Sequence, residues 1–399
     1  MSLELSKRAL AISPSVTLAI DSRAKALRKD GVDVVGFGVG EPDFDTPEYI
    51  RDAGKFAIDA GYTRYTPVAG TLDLREHICE KFFRDNALSY TPEEVIVSSG
   101  AKQSLYTALS VILNPGDEVL IPSPYWVSYP EMVMIAGGTP VMVPGAEENG
   151  FIVTAEEIRP YVTERTKALI INSPNNPNGC VWSREQLMGI AELAVEKGFY
   201  VISDEIYERL LYDGVEHVSI ASLGEEIKRQ TVVVNGVSKT YAMTGWRIGY
   251  AAASRPIIKA MTAFQSHSAS NANSIAQYAS SVALTSGATY IKKMLKEFQT
   301  RRNLMHALIL SIDGLYAHLP KGAFYMMLNL NGIMGLSHDG VLIDGSETFA
   351  AQLLENKHVA VVPGKAFGDD THVRLSYATS RERIVEGMRR IEEFVEELE

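Results

Sequence analysis

The stretch NGVSKTYAMTGWRIGY (235–250) sets one lysine, Lys239, among small and aromatic residues, directly after the apolar run TVVV (231–234). A solvated lysine belongs on a polar face, so this amine is either paired or used. Used, it can form a Schiff base with a carbonyl, and Ser238 and Arg247 beside it can hold an anion. SSGAKQ (98–103) places Gly100 between an apolar run and a helical pattern. Small residues there let backbone approach an anion, and the free N–H groups of a helix start attract one. The same letters also make an ordinary strand-to-helix turn. They match neither GxxxxGK[ST] nor GxGxxG, which disfavours a nucleotide. SDEIY (203–207) ends another apolar run with Asp204 and Tyr207. The acid could hold a protonated ring nitrogen and the phenol a ring oxygen, or Asp204 could cap a helix beside a packing tyrosine. In SPNNPNG (173–179), Asn176 could aim its amide at a ligand, although Asn, Pro and Gly are also plain turn formers. PSPYWVSYP (122–130) offers Trp126 as a stacking ring or as packing. Arg374, in HVRLS, is a surface ion-pair partner or, facing a cleft, a bidentate clamp for a carboxylate.

Such residues need strands to carry them. EVIVSS (94–99), DEVLIPS (117–123), TPVMVP (139–144), KALIINSP (167–174), FYVISDE (199–205), QTVVVNG (230–236) and RIGYAAA (247–253) are short and mostly continuously apolar. Strands covered on both faces read this way. Helical patterns separate several of them. AKQSLYTALSVIL (101–113) aligns Leu105, Ala108, Leu109, Ile112 and Leu113, and REQLMGIAELAVEKG (184–198) stops on Lys-Gly. The alternation predicts an α/β fold with a largely parallel sheet. Ligands bind such sheets beyond the carboxyl ends of the strands, where Gly100, Asn176, Asp204 and Lys239 fall. From about Thr289 the pattern changes to a long charged helix over 290–312, short strands near 322–330 and 359–364, and a last helix after Ser380. That predicts a smaller α+β unit joined by the N-terminal segment. The expected division is 1–44 with the small unit, 45–290 as the large domain and 291–399 as the small domain.

The 399 residues carry 38 Lys and Arg against 49 Asp and Glu, a net charge of −11. Nucleic acid and anionic membranes reward a basic surface, so small molecules are the expected partners. Cys79 and Cys180 lie far apart without metal-ligand spacing, which predicts no disulfide framework, no metal site and a reducing compartment. No apolar run approaches the ~18 residues needed to span a bilayer, and the first fifteen residues lack a long apolar core. A cytoplasmic protein is expected.

A lysine, an anion cup, an acid for a ring nitrogen, a phenol for a ring oxygen and a stacking Trp together suit pyridoxal 5′-phosphate (PLP). The order of motifs goes further. GEPDFDTP (40–47), YTPVAG (65–70), SPYWVSYPEMV (123–133), NSPNNPNG (172–179), SDEIYE (203–208), SKTYAMTGWRIGY (238–250), GAFY (322–325), VVPG (361–364) and VRLSYATS (373–380) run nearly end to end. The chain resembles the fold-type I PLP-dependent aminotransferases of class I, within them the bacterial aspartate aminotransferase subgroup Ib. That resemblance implies a large domain around a mostly parallel seven-stranded sheet covered by helices, a smaller α+β domain, and a homodimer. By the same resemblance Lys239 binds PLP and moves the substrate proton, and Asp204 pairs with the pyridine nitrogen. Tyr207 and Asn176 would hold the ring oxygen, and Trp126 would stack on the ring. Backbone around Gly100, Ala101 and Lys102 would take the phosphate with Ser238 and Arg247, joined by Tyr65 of the neighbouring subunit. Arg374 would bind the substrate α-carboxylate, aided by Asn176, Trp126 and the Gly40 backbone. The implied reaction is ping-pong transfer of an amino group from aspartate or a similar amino acid to 2-oxoglutarate.

The chain departs from the family pattern at three places. Relatives often carry Ser three residues before the lysine, where Gly236 stands here, while Ser238 directly precedes Lys239. No arginine lies between Arg255 and Arg301 to take a distal carboxylate, as one does in the animal-type enzymes, and the resemblance points to Lys102 instead. Subgroup members that accept prephenate carry Lys before the N-terminal Pro-Ser pair; here Ser13 precedes Pro14 and Ser15, which counts against prephenate. Aromatic, kynurenine and alanine aminotransferases share nearly all the other residues. A PLP-dependent lyase or synthase shares the fold, and fold does not fix substrate. An effector-sensing regulator would need an added DNA-binding domain, for which residues 1–40 are too short and not basic enough.

Overall fold

The seven apolar runs pair into one sheet: β1 (Val95–Ser98), β2 (Glu118–Ser123), β3 (Thr139–Pro144), β4 (Thr166–Asn172), β5 (Tyr200–Asp204), β6 (Thr231–Gly236) and β7 (Gly249–Ala252). Their spatial order is β1-β7-β6-β5-β4-β2-β3. The pairs from β6 through β5, β4 and β2 to β3 are parallel, and β7 runs antiparallel to both β1 and β6. The structure, a computed structural model, describes residues 5–12, 16–286 and 288–399; Ser13, Pro14 and Ser15 lie outside them.

Both faces of the sheet are covered, which explains the unbroken apolar runs. Helix α1 (Val16–Lys29), near the N-terminal end, packs instead against the later strands around Ala360. On one face Ile170 and Ile202 pack with Leu105, Ala108 and Leu109 of α2 (Ala101–Ile112). On the other, Leu169, Ile171 and Val201 meet Leu187, Ile190 and Ala194 of α3 (Arg184–Lys197). Alternate residues of one strand therefore feed two cores, each fully buried Leu or Ile contributing roughly 1.5–3 kcal/mol. α3 begins with a reciprocal Ser183–Gln186 capping box and ends at Gly198 in the left-handed region, as its Lys-Gly stop predicts. β7 begins two residues after the start of the apolar run because Arg247 adopts a left-handed backbone (φ 57°), which a strand cannot continue.

The later chain forms α4 (Ala288–Ile309), an antiparallel sheet of β8 (Tyr325–Asn329), β9 (Val362–Pro363) and β10 (His372–Ser376) in the order β9-β10-β8, and α5 (Arg381–Glu396). Phe298, Phe324, Leu328, Val373 and Phe394 share its core. α4 stops three residues short of the expected end, as the chain turns from Leu310 toward Gly314 (φ 83°). Ser380 caps α5, accepting from the Arg383 N–H at 3.2 Å. Val35–Gly36 pairs in parallel with Val359–Ala360, and the Ser376 N–H donates to the Phe37 carbonyl at 2.8 Å. Residues 37–41 are thereby laid against β10, over the carboxyl ends of the large sheet. No helix among the described residues is long and apolar enough to cross a membrane.

Candidate active site

β4 and β5 end in register, Asn172 opposite Asp204, and the parallel β6 ends beside them. The turn after β6 brings back Lys239, and α2 points its N-terminus at the same space. A cavity of about 500 Å³ opens there. Gly40, Ala101, Lys102, Trp126, Asn176, Asp204, Tyr207, Ser238, Lys239, Arg247 and Arg374 all line it. Gly100 adjoins it, directly beneath the Arg247 guanidinium. Tyr65 stands outside, 92% exposed.

Asp204 is buried, and its two carboxylate oxygens are anchored separately. Oδ2 accepts from the Tyr129 hydroxyl at 2.8 Å and Oδ1 from the Ile206 N–H at 3.2 Å. Lost hydration pushes its pKa up to about 6, against the pull of the Tyr129 hydrogen bond. An anchored acid at a strand end, ionised at neutral pH yet receptive to a proton, suits a partner for a ring nitrogen. Lys239 shows the complementary effect. Its side chain as a whole is half-buried, but the amine reaches the pocket floor, where it donates to the Gly40 carbonyl. Lost hydration there draws its pKa down to about 8, and nearby Glu41 opposes the shift. A neutral, nucleophilic amine is therefore accessible near physiological pH.

The anion cup is built by close backbone approach. Gly100 caps α2 with φ 86°, and a Cβ there would strike the Arg247 guanidinium. A Cβ on Gly249 would fall on the Ala101 backbone nitrogen. The Ala101 and Lys102 N–H groups of α2 have no acceptor among the described residues, and both residues line the pocket with Ser238 and Arg247. The donor set and this glycine cradle fit a phosphate. Gly236 also has a reason. A Cβ there would meet the Ile248 carbonyl oxygen at 2.9 Å and the Gly249 Cα at 3.0 Å, so the β6–β7 contact leaves no room for serine.

Arg374, on β10, is buried, and burial lowers its pKa. It donates to Asn176 Oδ1 at 2.9 Å and to the Gly38 carbonyl at 2.8 Å, while its buried Nε has no partner among the described residues. Those bonds accompany a guanidinium that lies over the Tyr325 ring, 4.4 Å from its centroid. A fixed planar cation with spare donors suits a carboxylate. Lys102 is a looser cation. Its amine donates to Ser128 Oγ at 3.2 Å and sits 4.7 Å above the Trp126 ring; partial burial, then Arg247, lowers its pKa.

Known proteins resemble this chain in sequence and in fold. The family model for aminotransferase class I and II matches residues 32–391. The chain belongs to the class I and II aminotransferases. It is 48% identical to an aspartate aminotransferase of Geobacillus stearothermophilus over 99% of both chains. It is 46% identical to an aspartate/prephenate aminotransferase of Thermus thermophilus, over 97% of each. The crystal structure of an aspartate aminotransferase from Rhizobium meliloti superposes with a TM-score of 0.97, at 42% identity and full coverage of both chains. PLP is the cofactor that membership of this family implies.

The cavity of this aminotransferase is also bordered by residues that sequence reading passed over. Tyr129, which anchors Asp204, lies three residues after Trp126 in WVSY, and its ring meets the Trp126 ring edge-on at 5.3 Å. That spacing was the available signal. Tyr325, from GAFY, meets the Tyr207 hydroxyl at 3.0 Å. Lys25 and Arg28, on successive turns of α1, bring two more cations to the pocket, and only the packing of α1 onto the small sheet places them there.

Proposed function

We propose that this aminotransferase moves the amino group of aspartate to 2-oxoglutarate with PLP held in the cavity between β5, β6 and α2. The charge of that cavity carries the reading. Among the cations lining it, Arg247 stands beside the phosphate cup, Arg374 suits the α-carboxylate and Lys239 is taken by the cofactor, which leaves Lys102 for a second carboxylate. PLP's phosphate brings roughly −1.5 to −2, and a dicarboxylic substrate two further negative charges. A monocarboxylic or aromatic substrate leaves one cation unmatched in a partly buried site.

Bound there, PLP supplies an electron sink for the charge left when the substrate loses its Cα proton. The chain's own residues do the rest. Lys239 would hold the cofactor and, once displaced by the substrate, take the proton from the substrate Cα with an amine whose pKa burial has brought to about 8. Asp204, as a carboxylate, would accept a hydrogen bond from the ring nitrogen and keep that nitrogen protonated, and Tyr207 with Asn176 would address the ring oxygen. Trp126 covers the ring. The N–H groups near Gly100, Ala101 and Lys102 hold the phosphate with Ser238 and Arg247. Arg374, Asn176 and the Gly40 backbone fix the α-carboxylate, and Lys102 takes the distal one. The active form is a homodimer in which Tyr65 reaches the partner's phosphate. Its near-complete exposure, with Phe56 and Phe83 also exposed nearby in sequence, supports that contact. We further propose that 1–44 moves with 291–399 as the small domain against 45–290; the pairing of Val35–Gly36 with Val359–Ala360 supports it. A reducing, cytoplasmic setting suits the free thiols of Cys79 and Cys180.

Lys102→Met tests the substrate. A charge-assisted hydrogen bond contributes roughly 1.5–3 kcal/mol, about one to two decades in kcat/KM. Aspartate should lose that factor, while alanine and phenylalanine are largely spared. Equal losses for all three, with looser PLP, would reduce Lys102 to balancing the phosphate and remove the case for a dicarboxylate.

A further inference from the structure

Tyr325 opens β8 and lines the cavity, and it is buried. Two contacts define it. Its hydroxyl lies 3.0 Å from the Tyr207 hydroxyl, and its ring lies under the Arg374 guanidinium at 4.4 Å. The second contact follows from register. Arg374 sits opposite Met327, so Tyr325 is its diagonal neighbour on the same face of the sheet. Tyr207 comes from the turn after β5 of the large sheet, whereas Tyr325 and Arg374 come from the small sheet. One aromatic ring thus joins the residue proposed to face the cofactor with the one proposed to clamp the substrate.

Proton direction decides what the hydroxyl pair can do. Each phenol has one proton to donate. If Tyr207 gave its proton to Tyr325, none would remain for a ring oxygen in the cavity. With Tyr325 as donor, Tyr207 accepts from behind and donates forward. The cation over the Tyr325 ring favours this order, because a guanidinium makes the phenol beneath it the better donor. Burial raises both phenols above the usual tyrosine range, Arg374 opposing the rise, so both keep their protons near neutral pH.

We propose that Tyr325 is a positioning residue that donates to Tyr207, turns the Tyr207 proton toward the cofactor's ring oxygen, and carries Arg374 on its ring. The inference rests on the PLP reading. Tyr325→Phe keeps the ring and deletes the relay; Tyr325→Leu deletes both. The test is a spectrophotometric pH titration of PLP bound to the holoenzyme, together with the affinity of succinate as an unreactive dicarboxylate. Hydrogen-bond donation to the ring oxygen favours its anionic form, so weaker donation moves the bound cofactor's titration to higher pH. Tyr325→Phe should move it up by a few tenths of a pH unit, in keeping with the ~10–30% cooperative strengthening of chained hydrogen bonds. Succinate affinity should stay within about twofold, because the ring under Arg374 remains, and Tyr325→Leu should weaken succinate by about three- to tenfold. In a Tyr207→Phe background, Tyr325→Phe should add nothing to the titration. An unmoved titration in Tyr325→Phe, or an equal shift in both backgrounds, overturns the relay. Failure of the unsubstituted protein to take up PLP overturns the reading beneath it as well, and is recognised by the missing visible absorbance.

Discussion

Tyr129→Phe removes the hydroxyl that donates to Asp204 Oδ2 at 2.8 Å and leaves the ring that packs on Trp126. Both partners are buried, so water does not replace the lost donor. Burial already holds Asp204 at about 6, and the Tyr129 hydrogen bond opposes that rise. A hydrogen bond to a charged group is worth roughly 1.5–3 kcal/mol, and 1.36 kcal/mol corresponds to one pKa unit. Its loss therefore carries Asp204 to roughly 7–8. At pH 7 the ionised fraction falls from about nine-tenths to between about a half and a tenth. Only the ionised carboxylate can accept a hydrogen bond from a protonated ring nitrogen and stabilise its charge.

Pyridoxamine phosphate is the right probe, because it has no aldehyde and Lys239 does not react with it. Its affinity for the apoprotein should fall about two- to tenfold at pH 7 in Tyr129→Phe, and the loss should disappear by about pH 9. The ligand's phosphate also ionises near pH 6, but equally for both proteins, so the difference between the curves reports Asp204. The sign for folding runs the same way. A carboxyl raised in the folded state contributes stability below its unfolded value near 4 and loses it as pH climbs through the folded value. The substitution moves the upper edge of that window to higher pH. Curves that differ by a constant factor at every pH would refute the reasoning and leave Tyr129 as packing alone.

The remaining predictions concern the amine, the cup and the dimer. Covalent attachment of PLP needs a neutral amine, so its rate on the apoprotein should climb with pH and level off above about 8, where burial has drawn Lys239; a rise still under way near the ordinary lysine value of 10.5 would contradict it. Gly249→Ala puts a Cβ on the Ala101 backbone nitrogen, where neither chain can yield. Overpacking of this kind costs about 1–3 kcal/mol, so the urea midpoint and phosphate affinity should both drop, and an unchanged midpoint would count against the tight cup. Mixing a Lys239→Ala chain with a Tyr65→Phe chain should give hybrid dimers more active than either parent. Proven hybrids without that gain would remove Tyr65 from the partner's site.

What could be seen in the sequence follows from the range of the forces that leave a mark there. Burial on both faces writes itself into consecutive residues, so six strands of the large sheet were visible as buried apolar runs, and only the edge strand β3, with one buried residue, was apolar without it. Strand direction has no such local mark, and nothing within RIGYAAA announces that β7 runs against its neighbours. Gly236 looked like a lost phosphate ligand, because its cause lies in Ile248 and Gly249, a dozen residues on and one strand over. Asp204 and Lys239 stood out because a charged residue ending a buried strand is costly unless it is used. Tyr129 and Tyr325 did not, since a tyrosine in a core needs no further reason to be there. The site therefore divides by chemistry: its charged members declare themselves in the sequence, while the neutral hydroxyls that orient them become visible only when strands far apart in the chain are set side by side. Arg374 stands between the two kinds. Its charge made it a candidate, but what makes it a clamp is Asn176, 198 residues away, the Gly38 carbonyl and the Tyr325 ring. Together these leave the guanidinium one defined orientation before any carboxylate arrives, and an already ordered donor gives up less entropy on binding.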